Sequence, residues 1–132
     1  MTTTDTKGPS FFLLDEIEWS DEKGSNAPRE LVEEAKKKGA KRKFLARGEG
    51  SFHSQMSSFP PGYVVPMHSH GHDEMIVIHE GSCTLMGEGA PTLKAHDSMV
   101  LLGGFEYGFT AGDEGMTFMT IRTAESGTTL TK

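Results

Sequence analysis

The sequence predicts an all-β domain, a β-barrel or sandwich, preceded by an N-terminal extension that contains one short helix. From residue 43 onward, apolar and polar residues alternate with the period of two that half-buried strands show. Clusters of glycine and proline interrupt this pattern at short intervals, and many short, evenly spaced strands favour a barrel or sandwich. The predicted strands span residues 43–47, 51–59, 63–68, 74–80, 82–86, 92–95, 98–102, 106–110 and 116–123.

Two of the predicted turns, at Glu80-Gly81 and at residues 111–115, separate neighbouring strands of this series. Within the strand 74–80, alternation means that an inward Glu74 would bring Ile76 and Ile78 to the barrel interior. The residues between them would then face outward, where they would meet the N-terminal arm or a second subunit.

The predicted division of the chain is an extension of residues 1–43, an arm plus a helix, and a barrel domain of residues 44–132. The apolar run 11–14 is interpreted as a strand or an arm that docks on the barrel or on a partner subunit. Ile17 and Trp19 alternate with polar residues, which is typical of an edge strand.

A helix is predicted between Pro28 and Gly39, with Asn26 as a candidate cap. Its acidic residues come first and its basic residues last, the order that the helix dipole favours. The basic run over residues 36–43 is therefore interpreted as the solvated end of this helix and not as a nucleic-acid-binding patch.

Composition excludes several classes of protein. A chain of 132 residues is long enough for one domain with a real core. The net charge is −6, and residues 51–132 hold three basic and nine acidic side chains, so nucleic acid is not an expected partner. No apolar run approaches a membrane span, and the N-terminus lacks the apolar core of a signal peptide. The single cysteine excludes an internal disulfide, so we expect a cytoplasmic protein.

The segment 62–81 carries the clearest functional signal. His68 and His70 are two residues apart, so on a strand they present their imidazoles to one point. Gly71 permits a turn, and Glu74 would return at the same depth on the next strand. Two imidazoles and one carboxylate leave open positions on a divalent metal, which suits non-haem Fe(II) chemistry as well as a catalytic zinc.

This segment resembles the first motif of the cupin superfamily at every fixed position: Gly62, His68, His70, Glu74 and Gly81. The resemblance covers roughly residues 44–122. It implies a cupin-type, jelly-roll β-barrel that binds a divalent metal through His68, His70 and Glu74, and it raises the expectation of a homodimer.

The second cupin motif is only partly present. Asp97 and Gly104 agree with it, whereas His96 replaces a glycine and Leu102 replaces a proline. Tyr107 stands where the third histidine ligand of the family belongs. The resemblance therefore implies that Tyr107 either binds the metal or acts beside it as an acid, a base or a hydrogen-bond donor.

Further residues are weaker candidates for the pocket. His72 offers a second histidine choice and stands in the predicted turn. His53 and Gln55 share one face of their strand, and Phe109 and Met119 are predicted to line an apolar cavity.

Together these features predict a metal-dependent enzyme for a small organic substrate, with Glu74 and Tyr107 as its catalytic residues. The first hypothesis is an Fe(II) dioxygenase acting on a phenolic or enolisable ketone. The second is a non-oxidative isomerase, cyclase, dehydratase or lyase with zinc, nickel or manganese, in which Tyr107 or a histidine moves a proton. The third is a cupin that binds a small molecule without turning it over. Arg122 is a candidate anchor for an anionic substrate, although a surface salt bridge is the commoner fate of such a residue.

Overall fold

The computed structural model of the chain describes residues 8–20, 29–125 and 127–131. Within these residues lie one α-helix, eight strands and two single turns of 3₁₀ helix, at Leu14–Glu16 and Glu49–Ser51. The helix is α1 (Arg29–Lys38), and the strands are β1 (Lys41–Arg47), β2 (His53–Phe59), β3 (Val64–His70), β4 (Glu74–Leu85), β5 (Thr92–Lys94), β6 (Ser98–Leu101), β7 (Tyr107–Arg122) and β8 (Thr128–Leu130).

The strands form one curled antiparallel sheet, a half-barrel. Its main path runs in the order β1-β2-β7-β3-β8, and β4 pairs with β5, β6 and β7. The interior is filled at one end by aromatic rings that centre on Phe59, which stacks on Tyr63 at 4.4 Å and meets Phe118 edge-on at 5.2 Å. The predicted all-β class with one short helix is confirmed.

The predicted facing of β4 is also confirmed. Glu74, Ile76 and Ile78 are buried in the interior, whereas Met75 and His79 are exposed on the outer face. Side chains alternate between the two faces of a strand. The register that turns the Glu74 carboxylate inward therefore also turns Ile76 and Ile78 inward.

Two predicted turns are wrong, because β4 continues through Gly81 and β7 continues through Gly115. Both glycines have left-handed backbones, with φ of +77° and +78°. A Cβ on Gly81 would lie 2.1 Å from the carbonyl oxygen of Gly115, so the two strands touch where they bend. The β4–β7 register shifts on either side of Gly81, which identifies a bulge rather than a turn.

The N-terminal arm docks on the outside of β1. Lys43 Nζ donates a hydrogen bond to the carbonyl oxygen of Leu14 at 2.8 Å, and the ammonium groups of Lys41 and Lys43 lie 5.1 and 4.9 Å from the Trp19 ring centre. The predicted strand at residues 11–14 is absent from this described segment, and the predicted edge strand reduces to a single bridge between Ser20 and Arg42.

Helix α1 ends as predicted at Gly39, whose φ is +88°. The Gly39 and Ala40 amides donate back to the carbonyls of Lys36 and Ala35, which satisfies the last turn. Ala35 and Ala40 are buried against the barrel core. The predicted cap at Asn26 and the helix start at Pro28 lie outside the described residues.

The sheet begins at Lys41, three residues before the predicted domain boundary, and it includes β8, which the sequence analysis missed. β8 pairs with β3 next to His68 and His70. Of the helices in the described ranges, none has the length and apolarity needed to cross a membrane.

Candidate metal centre

A cavity of about 400 Å³ lies inside the half-barrel. Residues of six strands, β1, β2, β3, β4, β7 and β8, line it. Polar groups that can bind a metal gather at one end of this cavity, where β3 and β4 meet at their connecting turn.

His68 and His70 are oriented by backbone carbonyls. His68 Nδ1 donates to the Pro66 carbonyl oxygen at 2.8 Å, and His70 Nδ1 donates to the Gly127 carbonyl oxygen at 2.7 Å. Because a carbonyl oxygen only accepts, both Nδ1 atoms carry a proton, and Nε2 is the nitrogen of each ring that is placed to bind a metal. Fixing the tautomer in this way is the usual support of a metal-binding histidine.

The two Nε2 atoms lie 3.1 Å apart. Two facing lone pairs at this distance repel one another, and either a proton or a metal cation between them removes this repulsion. Two nitrogens that each bind a metal at about 2.1 Å are about 3.0–3.4 Å apart in octahedral or tetrahedral geometry. The spacing in this chain therefore fits a divalent metal.

The side chains of Glu74 and Tyr107 also lie close to Nε2 of His70. The Tyr107 hydroxyl lies 3.1 Å from His70 Nε2 and donates to Glu74 Oε2 at 2.8 Å, and that oxygen lies 3.7 Å from His70 Nε2. Arg122 Nε donates to the other oxygen of Glu74 at 3.2 Å. Both carboxylate oxygens are thus held in place, so Arg122, which the sequence analysis considered mainly as a surface residue, instead orients Glu74.

Tyr107 is a buried, protonated phenol in this arrangement. Burial raises the pKa of Tyr107, and the negative charge of Glu74 raises it further. The charge of Arg122 opposes this shift without cancelling it, so the phenol keeps its proton at neutral pH. A bound cation would oppose this shift.

His72 offers a second set of ligands. His70, His72 and Glu74 each present a ligand atom, and these atoms lie within 4.8 Å of one another. Burial lowers the pKa of His72, which favours the neutral ring that binds metals. However, the Gly127 amide donates to His72 Nε2 at 3.4 Å. This group contains His72 in place of the His68 that the sequence motif predicts. His68 instead lies beside His70, with their Nε2 atoms 3.1 Å apart.

Most of the weaker candidates also lie at the cavity. His53, Gln55 and Phe109 line it, and Gln55 Nε2 donates to Ser57 Oγ at 3.1 Å. Met119 is the exception, because it is half-buried and absent from the described lining. It lies between two inward residues of β7, Phe118 and Thr120, so alternation turns it to the other face.

Sequence analysis missed one cavity residue, Arg42. It was assigned to the solvated end of the helix, yet it is 2% exposed and lines the cavity from β1. The signal that was available is the alternation of Arg42, Phe44 and Ala46, which places all three side chains on the lining.

No protein-family model matches the chain, and no curated protein is significantly similar to it in sequence. Solved structures, in contrast, share its fold. KdgF from Halomonas sp. is 21% identical with a TM-score of 0.68, and the alignment covers 89% of this chain and 96% of that one. An RmlC-like cupin from Shewanella frigidimarina NCIMB 400 is 21% identical with a TM-score of 0.64, covering 86% and 90%.

The polyketide cyclase RemF from Streptomyces resistomycificus is 16% identical with a TM-score of 0.70, and the alignment covers 92% of this chain and 84% of that one. At these identities the likeness concerns the fold. It confirms the cupin-type β-barrel that the sequence resemblance implies. The chain therefore has the fold of a small cupin.

Proposed function

We propose that this protein is a metal-dependent enzyme that acts on a small organic substrate in the barrel cavity. The observation that carries the proposal is the facing pair of Nε2 atoms of His68 and His70, 3.1 Å apart and both oriented by backbone carbonyls. When bound, a divalent metal would polarise a substrate oxygen as a Lewis acid.

The residues have separate roles in this proposal. His70 and Glu74 hold the metal, with His68 as the third ligand and His72 as its alternative. Arg122 keeps the Glu74 carboxylate in position through its 3.2 Å hydrogen bond. Tyr107 presents a protonated hydroxyl beside the ligands, where it supplies a proton to a substrate oxygen as negative charge develops there.

Non-oxidative chemistry, as in an isomerase, cyclase, dehydratase or lyase, is the first candidate reaction. It is supported by the protonated Tyr107 hydroxyl, which stands beside the metal centre where the family has a histidine ligand. A bound cation would lower the raised pKa of this phenol and so make it a better proton donor. Zinc, nickel or manganese would serve such a reaction. The similar fold of a protein named as a polyketide cyclase is consistent with it.

A non-haem Fe(II) dioxygenase acting on a phenolic or enolisable ketone is the second candidate. It is supported by the donor set itself, since two histidines and one carboxylate with open positions suit Fe(II) oxygenases. In that case Tyr107 would steady an anionic form of the substrate by hydrogen bonding.

The experiment that separates these candidates is reconstitution of metal-free protein with Fe(II), Zn²⁺, Ni²⁺ or Mn²⁺. Each form is incubated with phenolic ketones and diketones, with and without oxygen. Turnover without oxygen supports the proton-transfer enzyme, and Fe(II)-dependent oxygen uptake supports the dioxygenase. Metal binding with no turnover by any form would contradict both and leave a small-molecule-binding cupin. A chain that holds no metal after reconstitution would contradict the proposal as a whole.

Substitution of Tyr107 by phenylalanine is expected to lower turnover by about 10²–10⁴-fold, the range typical of general acid–base catalysis. The aromatic ring remains in the core, so the fold is retained. Metal affinity measured by chelator competition is expected to fall by about 10–100-fold at most, because Tyr107 donates to the ligand Glu74 instead of binding the metal. Loss of the metal together with activity would instead identify Tyr107 as a ligand.

We further propose a cytoplasmic homodimer. Its free Cys83 is consistent with a reducing compartment. Met75 and Val100 are cross-strand neighbours on the outer face, 41% and 60% exposed, and together they form an apolar surface that fits a second copy of the chain.

Substitution of Val100 by lysine is expected to halve the mass in solution at micromolar concentration, measured by light scattering after gel filtration. A charge placed in an apolar interface would be desolvated there. Val64→Lys, at an exposed position on β3, is the matched control. A monomeric wild-type protein would refute the dimer.

A further inference from the structure

Arg42 is a buried cation for which the described residues provide no anionic partner. Its side chain is 2% exposed, and Nε and Nη1 have no hydrogen-bond partner in the part of the chain that the structure describes. Removing a guanidinium from water without a partner is strongly unfavourable. A residue kept in this state therefore indicates that something other than these residues satisfies it.

The strand register places Arg42 inside the barrel, deeper than the metal centre. Arg42 is opposite Ser57 on β2, Ser57 is opposite Phe118 on β7, and Phe118 is opposite Ile78 on β4. Ile78 is four residues from Glu74 along β4, which is about 13 Å of strand. Arg42 and the metal centre thus line one cavity at two different levels.

The charged residues that line the cavity also favour an anionic ligand. Three arginines and two glutamates line it, although the chain as a whole has a net charge of −6. Glu74 is already engaged by Arg122 at 3.2 Å, so it does not serve Arg42. Burial lowers the pKa of Arg42, the neighbouring Tyr63 raises it, and the charge of Arg122 lowers it.

We propose that Arg42 binds the carboxylate of a small organic acid in this cavity. The planar guanidinium matches a carboxylate through paired N–H···O bonds, and about 400 Å³ suits a small molecule. The anion site depends only on Arg42. That this acid is the substrate, with its reacting oxygen at His70, Glu74 and Tyr107, rests on the function proposed above.

The test compares binding of benzoate with binding of the uncharged benzamide, by calorimetry or NMR titration of metal-free and zinc-loaded protein. Arg42→Met removes the charge, and Arg42→Lys keeps the charge without the planar fork. Arg29→Met, at an exposed position on α1, is the matched control. Hexanoate and inorganic phosphate serve as a second carboxylate and as a different anion.

We expect the wild type to bind benzoate with a Kd below about 10 mM and at least about tenfold more tightly than benzamide. Arg42→Met loses this preference, Arg42→Lys keeps part of it, and Arg29→Met is unchanged. The melting temperature of Arg42→Met equals or exceeds that of the wild type, because a buried charge without a partner is removed.

Four results would overturn the inference: no binding of benzoate or hexanoate, equal binding by Arg42→Met, phosphate binding at least as tight as benzoate, or a large fall in melting temperature on loss of Arg42. The metal content of the same samples keeps the two proposals apart. If the protein takes up no metal on reconstitution but binds benzoate through Arg42, only the proposed enzyme is refuted. If it binds metal and its benzoate binding does not depend on Arg42, only the carboxylate site is refuted.

Discussion

Replacing His70 with alanine is expected to weaken metal binding by at least about 100-fold, since even residues that merely orient a ligand are worth about 10–100-fold. His70 belongs to both candidate ligand sets, and its Nε2 is the atom nearest to the other donors. Metal content after dialysis and chelator competition give the change directly. The fold should persist, because the lost hydrogen bond to Gly127 is worth only about 1 kcal/mol.

His79→Ala is the control for this experiment, because His79 is exposed on the outer face of β4 and should leave metal binding unchanged. The variants His68→Ala and His72→Ala then identify the third ligand. We expect His68→Ala to resemble His70→Ala, and His72→Ala to cost less. An unchanged metal content in His70→Ala would show that the metal, if any, binds elsewhere.

Gly81→Ala is expected to destabilise the protein by about 3 kcal/mol or more. Its left-handed φ of +77° alone costs an alanine about 1–2 kcal/mol. In addition, the new Cβ would lie 2.1 Å from the Gly115 carbonyl oxygen, which is backbone and cannot rotate away. β4 and β7 would have to separate where they bend together. Urea denaturation of the metal-free protein measures the change.

Gly62→Ala separates the two contributions. Gly62 has a similar φ of +73°, but nothing lies within 4 Å of a Cβ built there, so only the backbone cost of about 1–2 kcal/mol should appear. If Gly81→Ala costs no more than Gly62→Ala, the close approach of the two strands is not a constraint on the fold.

The sequence predicts contacts between residues that are close together in the chain better than contacts between distant ones. His68, His70 and Glu74 lie within seven residues, so strand geometry and one turn were enough to bring them together. The inward register of β4 followed from the same alternation. The bulge at Gly81 was predicted as a turn because a glycine signals either, and only the approach of Gly115 decides between them.

The burial of Arg42 was not predicted, because its neighbours in the sequence are also basic. Residues 36–43 hold six basic side chains, and Arg42 was interpreted with them as part of a solvated helix end. A strand in fact starts at Lys41 and turns every second side chain inward. The orientation of Glu74 by Arg122, 48 residues away, and of His70 by Gly127, 57 residues away, could not be predicted, because each depends on how β7 and β8 return to β3 and β4.

The compactness of the His68–Glu74 segment has a consequence for how the metal stabilises the protein. A string with three histidines and a glutamate can bind a divalent ion even in the unfolded chain, where Tyr107 and Arg122 are far away. A metal that binds both states stabilises the folded one only by the difference between its two affinities. A chelator should therefore lower the melting temperature by less than the metal affinity of the folded protein alone implies. The unfolded chain should also retain its ion while it refolds.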